Sequence, residues 1–214
     1  MKRFLIAAGA ALAATPALAH HPLGGLPMTT FSEGLLSGVG HPVLGFDHLF
    51  FVALMGIAAI YTGQALRAPL AYVGAMLAGC ALMAAGVALP MAETVIVASL
   101  LVLGFLVASG RALSPTMAIA LFAGFGLFHG SAFGGTIAGQ EGGVGGAVFA
   151  GYLIGLAMIQ YAIAIVAGFT MRRVLAAPGA ASINARLAGA MVAGVGIFLS
   201  LEILEGPIVA ALAG

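Results

Sequence analysis

Six apolar runs of about twenty residues each, in close succession, limit this chain to one kind of fold. They cover roughly 42–62, 69–88, 92–109, 115–135, 146–171 and 187–212, the last interrupted by Glu202, Glu205 and Gly206-Pro207. A run of that length crosses the hydrocarbon of a bilayer as an α-helix, and only helices and closed barrels satisfy their own backbone there. Charged residues make up 6% of the chain, against about a quarter in soluble domains. The expectation is an all-α polytopic membrane bundle: six transmembrane helices in a single domain over 20–214, with short loops and antiparallel neighbours.

Residues 1–19 read as a cleavable signal peptide. Lys2 and Arg3 are its basic start, Phe4 to Ala14 its apolar centre, and Ala17-Leu18-Ala19 its small-residue cleavage motif. Cleavage there exposes His20-His21-Pro22 outside the cytoplasm. The segment 28–40 is too short and glycine-rich to span. Its Phe31, Leu35 and Leu36 form one apolar stripe of an interfacial helix, with Glu33 facing water.

Charge orients the bundle. Beyond the leader, every arginine (Arg67, Arg111, Arg172, Arg173, Arg186) falls in connections on one side of the six runs. The positive-inside rule makes that side cytoplasmic and puts both termini in the periplasm. Every histidine and acid of the mature chain then falls in the outer half or outside. That is an intake suited to a cation in the inner membrane. The net charge of +1 gives no sign of a nucleic-acid partner. Cys80, the one cysteine, allows neither an intramolecular disulfide nor a thiolate cluster. No G-x-x-x-x-G-K-[ST] motif is present, so no ATPase is visible in the chain.

Ionisable groups inside a span mark a functional site by default. The first run opens with Gly40-His41-Pro42-Val43-Leu44-Gly45-Phe46-Asp47-His48. Pro42 suits a first helical position. A helix starting there puts His41 and His48, seven apart, on one face, with Asp47 about 100° round. Two imidazoles and a carboxylate suit a borderline divalent ion such as Ni²⁺, Co²⁺, Zn²⁺ or Cu²⁺. His129, about three turns into the fourth run among small residues, is the second polar centre. Glu202 and Glu93 offer charge balance, and Glu141 lies in the outer loop. The candidate metal set is His41, Asp47, His48, His129, Glu202 and Glu93. Gln160, Tyr161 and Ser99 are weaker polar points. Gly45-Phe46-Asp47-His48 and Gly126-Leu127-Phe128-His129 lie on the first and fourth runs, which run in opposite directions. They fit a 3+3 inverted repeat with its site at the repeat interface.

The H-P-x-x-G-x-D-H pattern at His41, Pro42, Gly45, Asp47 and His48 resembles the first signature of the HupE/UreJ membrane proteins. That family is associated with nickel, and sometimes cobalt, uptake, often beside hydrogenase or urease genes. Its second signature resembles F-H-G-x-A-H-G-x-E. Phe128, His129, Gly130, Ala132 and Gly134 match it, while Phe133 and Thr136 stand where the second histidine and the glutamate belong. The resemblance implies inward transport of Ni²⁺ or Co²⁺ as cargo, with no prosthetic group. Alternatives are a metal-binding accessory or sensor for metalloenzyme assembly, and an intramembrane hydrolase built on His129-Gly130-Ser131. For the latter there is neither H-E-x-x-H nor G-x-S-x-G. Besides the ion, the implied partners are membrane lipid, a second copy of the chain, and metallocentre-assembly proteins.

Overall fold

The computed structural model describes residues 28–138 and 145–213, with side chains at 206–208 and 210–213 left aside. The leader, His20, His21 and Glu141 lie outside the described residues. Among those described, all regular structure is helical. The helices are α1 (Phe31–Leu44), α2 (Phe46–Ile60), α3 (Ala68–Ala84), α4 (Ala92–Ala108), α5 (Pro115–Ala138), α6 (Gly146–Phe169) and α7 (Ile183–Ala213). A π-helical turn, Thr170–Val174, continues α6. By length and composition α5, the stretch Gly146–Val174 and the stretch Ile183–Glu205 are able to cross a membrane. Helices α1 and α2 together make a fourth candidate, bent by 81°, while α3 and α4 are apolar but shorter, at 17 residues each. The α7 helix runs on through Gly206-Pro207, so the interruption expected there does not form. Proline is tolerated in membrane helices where local adjustment re-satisfies the freed backbone groups.

The first run differs from expectation at its start. Thr30 caps α1: its hydroxyl accepts the Glu33 amide at 3.2 Å. The Glu33 carboxylate accepts the amides of Thr30 at 2.9 Å and Thr29 at 2.7 Å. This reciprocal box satisfies orphan donors of the first turn and starts the helix at Phe31, well before Pro42. Proline 42 therefore lies near the end of α1. Gly45, extended at φ −83° and ψ 98°, breaks the helix, and α2 leaves at a steep angle. His41 and His48 consequently belong to two helices on either side of a bend, and do not share one helix face. Glycine suits that corner: a β-carbon at 45 would lie 2.9 Å from the His48 ring and 3.2 Å from the His41 carbonyl.

Glycine also sets the helix packing, as small residues do where lipid supplies no hydrophobic drive. On α5, β-carbons at Gly126 and Gly130 would run into the carbonyls of Tyr72 and Met76 of α3, and Gly134 meets Cys80. Gly34 and Gly38 of α1 meet Val148 and Tyr152 of α6, and Gly56 of α2 meets Ala164. Residue numbers rise together in each of these pairs, so α3 runs parallel to α5, and α1 and α2 run along α6 in the same sense. In contrast Gly104 meets Ala193, and Gly189 meets Ala108, so α4 and α7 are antiparallel. We expect Gly130→Ala to cost about 1–3 kcal/mol, as overpacking against fixed backbone does. It should appear as a lowered thermal midpoint in detergent, with Gly124→Ala, where no atom lies within 4 Å of the added carbon, as the silent control.

The arginine-bearing connections gather at one end. Tyr61 Oη donates to Ala177 O, Tyr161 Oη to Leu66 O, and Arg186 Nε to Ala108 O. At the other end the Leu89 amide donates to Ser131 Oγ. The buried polar side chains among the described residues are Ser37, His41, His48, Ser99, His129, Ser131 and Gln160.

Candidate metal centre

Two histidines from different helices meet at the centre of the bundle. His48 Nδ1, in the first turn of α2, lies 2.8 Å from His129 Nδ1 of α5. His129 is fully buried, and its other nitrogen lies 3.1 Å from Ser99 Oγ of α4. The proton pattern follows from the end of this chain. Ser99 Oγ lies 2.5 Å from the carbonyl of Ile96, which only accepts, so the hydroxyl donates there. Ser99 Oγ must then accept from His129 Nε2–H. Neutral His129 accepts at Nδ1, and His48 donates from its own Nδ1. When His48 is neutral, its lone pair therefore sits on Nε2.

A second chain orients His41. Tyr152 Oη donates to the Phe133 carbonyl at 3.1 Å and lies 2.9 Å from His41 Nδ1. His41 thus donates from Nδ1, and when neutral it also carries its lone pair on Nε2. A histidine whose other nitrogen is held by the protein is the usual preorganised metal ligand. The rings of His41 and His48 are 6.0 Å apart, edge to face. Asp47 Oδ2 lies 3.9 Å from His48 Nε2. An ion with bonds of about 2.1 Å can touch both atoms.

Aromatic rings enclose the cluster. Phe133 lies against His48 at 4.3 Å between centroids, tilted by 40°, and stands edge-on to His41 at 5.0 Å. Phe51 lies against His129 at 4.6 Å, tilted by 31°. Tyr72, 5.7 Å from the His129 ring, donates its hydroxyl to Gln160 Oε1 at 2.7 Å.

The acids are spread differently. Asp47 is half-buried in a groove of about 530 Å³ with Phe46, Phe50, Val195, Phe198 and Leu199. Glu202 follows Phe198 by one turn of α7 and is exposed, as is Glu93 in the first turn of α4. Among the described residues no three of His, Cys, Asp and Glu come within reach of one ion. The fold therefore brings together His41, Asp47, His48 and His129 as neighbours, without closing them into a chelate.

The profile of the HupE / UreJ protein family matches residues 8–199. The chain belongs to the HupE/UreJ family. Protein HupE of Rhizobium leguminosarum bv. viciae is 36% identical over 137 residues, covering 63% of this chain and 69% of that protein. No solved structure matches this chain. HupE/UreJ proteins are membrane transporters associated with nickel and cobalt uptake, not enzymes.

Against the second HupE/UreJ signature, the Phe133 substitution now has a location: its ring fills the space beside both His41 and His48. Ser99 and Gln160 entered the sequence reading only as weak polar points, yet Ser99 holds His129 and Gln160 ties α6 to α3. Tyr72 and Tyr152 were missed. The signal was available: a tyrosine inside an apolar run must place its hydroxyl on a partner. Removing the Ser99 hydroxyl takes away the group that orients His129. Ser99→Ala should weaken nickel binding about ten-fold or more, as loss of such supporting contacts does. Titration of the purified protein with nickel against a competing chelator checks it.

Proposed function

We propose that this HupE/UreJ protein is a six-span inner-membrane carrier that admits Ni²⁺, or Co²⁺, to the cytoplasm through the His48–His129 pair. The observation that carries this reading is the meeting of two imidazoles, from the first and fourth apolar runs, inside an apolar bundle. An ion arriving from outside meets Asp47 and His48 Nε2 first, with His41 beside them. It then takes the place of the hydrogen bond between the imidazoles, the proton on His48 Nδ1 passing to His48 Nε2 as the ion leaves that nitrogen. Two nitrogens at about 2.1 Å and right angles on one ion are about 3.0 Å apart, near the spacing present. Few ligands on separate helices bind loosely enough to release, which transport requires.

The helix packing supports six crossings, with α1 and α2 as one bent span. In alternating crossings the first runs parallel to the fifth, the second parallel to the fourth, and the third antiparallel to the sixth. The glycine contacts follow that parity. Exchanging the halves turns the second–fourth pair into the fifth–first pair and leaves the third–sixth pair in place, as a 3+3 inverted repeat does. The arginine end is then cytoplasmic and both termini are periplasmic. An inside-negative potential drives the divalent ion inward with about 4.6 kcal/mol per 100 mV.

Radioactive nickel uptake tests the reading in cells lacking their own high-affinity importers, with excess Mg²⁺ present. Uptake several-fold above the empty vector is expected. Metal bound by the purified protein without uptake, for nickel and then cobalt, would move the function to a sensor or assembly accessory.

A further inference from the structure

We propose that Phe133 and Phe51 are the outer and inner gates of the ion path, related to one another by the internal repeat. The proposal rests on the carrier reading above. Each phenylalanine covers the histidine of the opposite half: Phe133 of α5 lies on His48 of α2, and Phe51 of α2 lies on His129 of α5. Each also sits one turn beyond the histidine of its own helix. The exchange is reciprocal, and it extends outward. Phe51 rests on Tyr72 at 5.5 Å, and Phe133 gives its carbonyl to Tyr152. The histidines are 81 positions apart, the tyrosines 80 and the phenylalanines 82.

The two rings lie on opposite sides of the imidazole pair. Phe51 packs on Phe125 at 5.8 Å and on Tyr72, which borders Gly126. Phe125 and Gly126 are residues of α5 before His129, toward the arginine end. Phe133 packs on His41, and its carbonyl is held by Tyr152, toward the end where Leu89 meets Ser131. Phe51, Phe133, Tyr72 and His129 have no exposed surface. His48 keeps 6% of its surface exposed, but its Nδ1 contact with His129 is covered on both sides, and an ion enters that contact only when one ring turns aside.

The two latches differ, although the gates correspond. On the inner side Tyr72 is tied to Gln160, a neutral amide. On the outer side Tyr152 is tied to His41, an imidazole able to bind the arriving ion. Metal binding at His41 therefore acts on the outer latch, while the inner latch has no such ligand. This asymmetry gives a symmetric pair of gates a direction.

Thiol accessibility tests the gates without relying on transport. In a Cys80→Ala background, Phe51→Cys and Phe133→Cys are made separately. Right-side-out and inverted membrane vesicles are then treated with a membrane-impermeant maleimide. The thiol introduced at 133 should label at least five-fold faster from the periplasmic side, and the thiol introduced at 51 from the cytoplasmic side. Labelling of both from one side, or of neither from any side, overturns the proposal. Wild-type nickel uptake is measured alongside. Its absence with the sidedness intact would fell the nickel reading and leave the gates. If either thiol variant fails to reach the membrane, Phe51→Leu, Phe133→Leu and their double variant replace them. The double variant should admit nickel at least ten-fold faster and without saturation. Unchanged entry in all three overturns the gates.

Discussion

On the proposed carrier reading, His129→Ala should abolish nickel uptake, by at least a hundred-fold against wild type at equal membrane level. The ring is fully buried and both its nitrogens are engaged, by His48 and by Ser99. Its loss removes one imidazole of the central pair. It also takes from His48 Nδ1–H its His129 acceptor in an apolar interior, at about 1–3 kcal/mol, while Ser99 Oγ keeps its bond to the Ile96 carbonyl. A structural role alone would give the same uptake result through misfolding, so His129→Gln is the deciding companion. Its amide offers a donor and an acceptor to the same neighbours but is a poorer ligand than imidazole for nickel. We expect His129→Gln to recover the thermal midpoint lost in His129→Ala and to leave uptake at background. Recovery of both together would make His129 a packing residue and move the ion path elsewhere. Uptake in membrane vesicles, read against thermal unfolding of the same preparations in detergent, checks it.

What was legible in the sequence follows from how local each signal is. A run of apolar residues makes a helix wherever it lies, so α2 to α7 fall on the expected runs, while α1 takes the stretch ahead of the first. Small residues around His129 announced close helix approach, and Gly126, Gly130 and Gly134 do lie against backbone of α3. The bend at Gly45 was not read, because Pro42 supplied a plausible helix start. The Thr30–Glu33 capping box, which opens twelve residues before Pro42, is just as local, and it decides the matter. Partnerships between distant helices are a different case. Nothing near Tyr152 in the chain points to His41, and nothing near Ser99 points to His129, since these contacts exist only once the helices pack. The acids are a further case. Glu202 and Glu93 drew notice as rare acids near apolar runs, yet both are exposed, whereas Asp47 is half-buried beside His48.

Phe133→His should tighten nickel binding about ten-fold or more, which is about 1.4 kcal/mol, and slow uptake at the same time. The ring at 133 stands 4.3 Å from that of His48 and 5.0 Å from that of His41. An imidazole there places a third nitrogen ligand beside two whose other nitrogens are already held by the protein. Three imidazoles approach the closed coordination that keeps a metal, whereas a carrier must let it go. Without metal, the variant buries a polar ring where phenylalanine was, so its thermal midpoint should fall. Saturating nickel should raise it again by more than it raises the wild type, because a ligand stabilises in proportion to how far its concentration exceeds the dissociation constant. Chelator-competition titration and nickel-dependent melting read the affinity, and vesicle uptake reads the rate. An unchanged affinity would mean that position 133 does not face the ion. Tighter binding with faster uptake would mean that capture, and not release, limits the wild type.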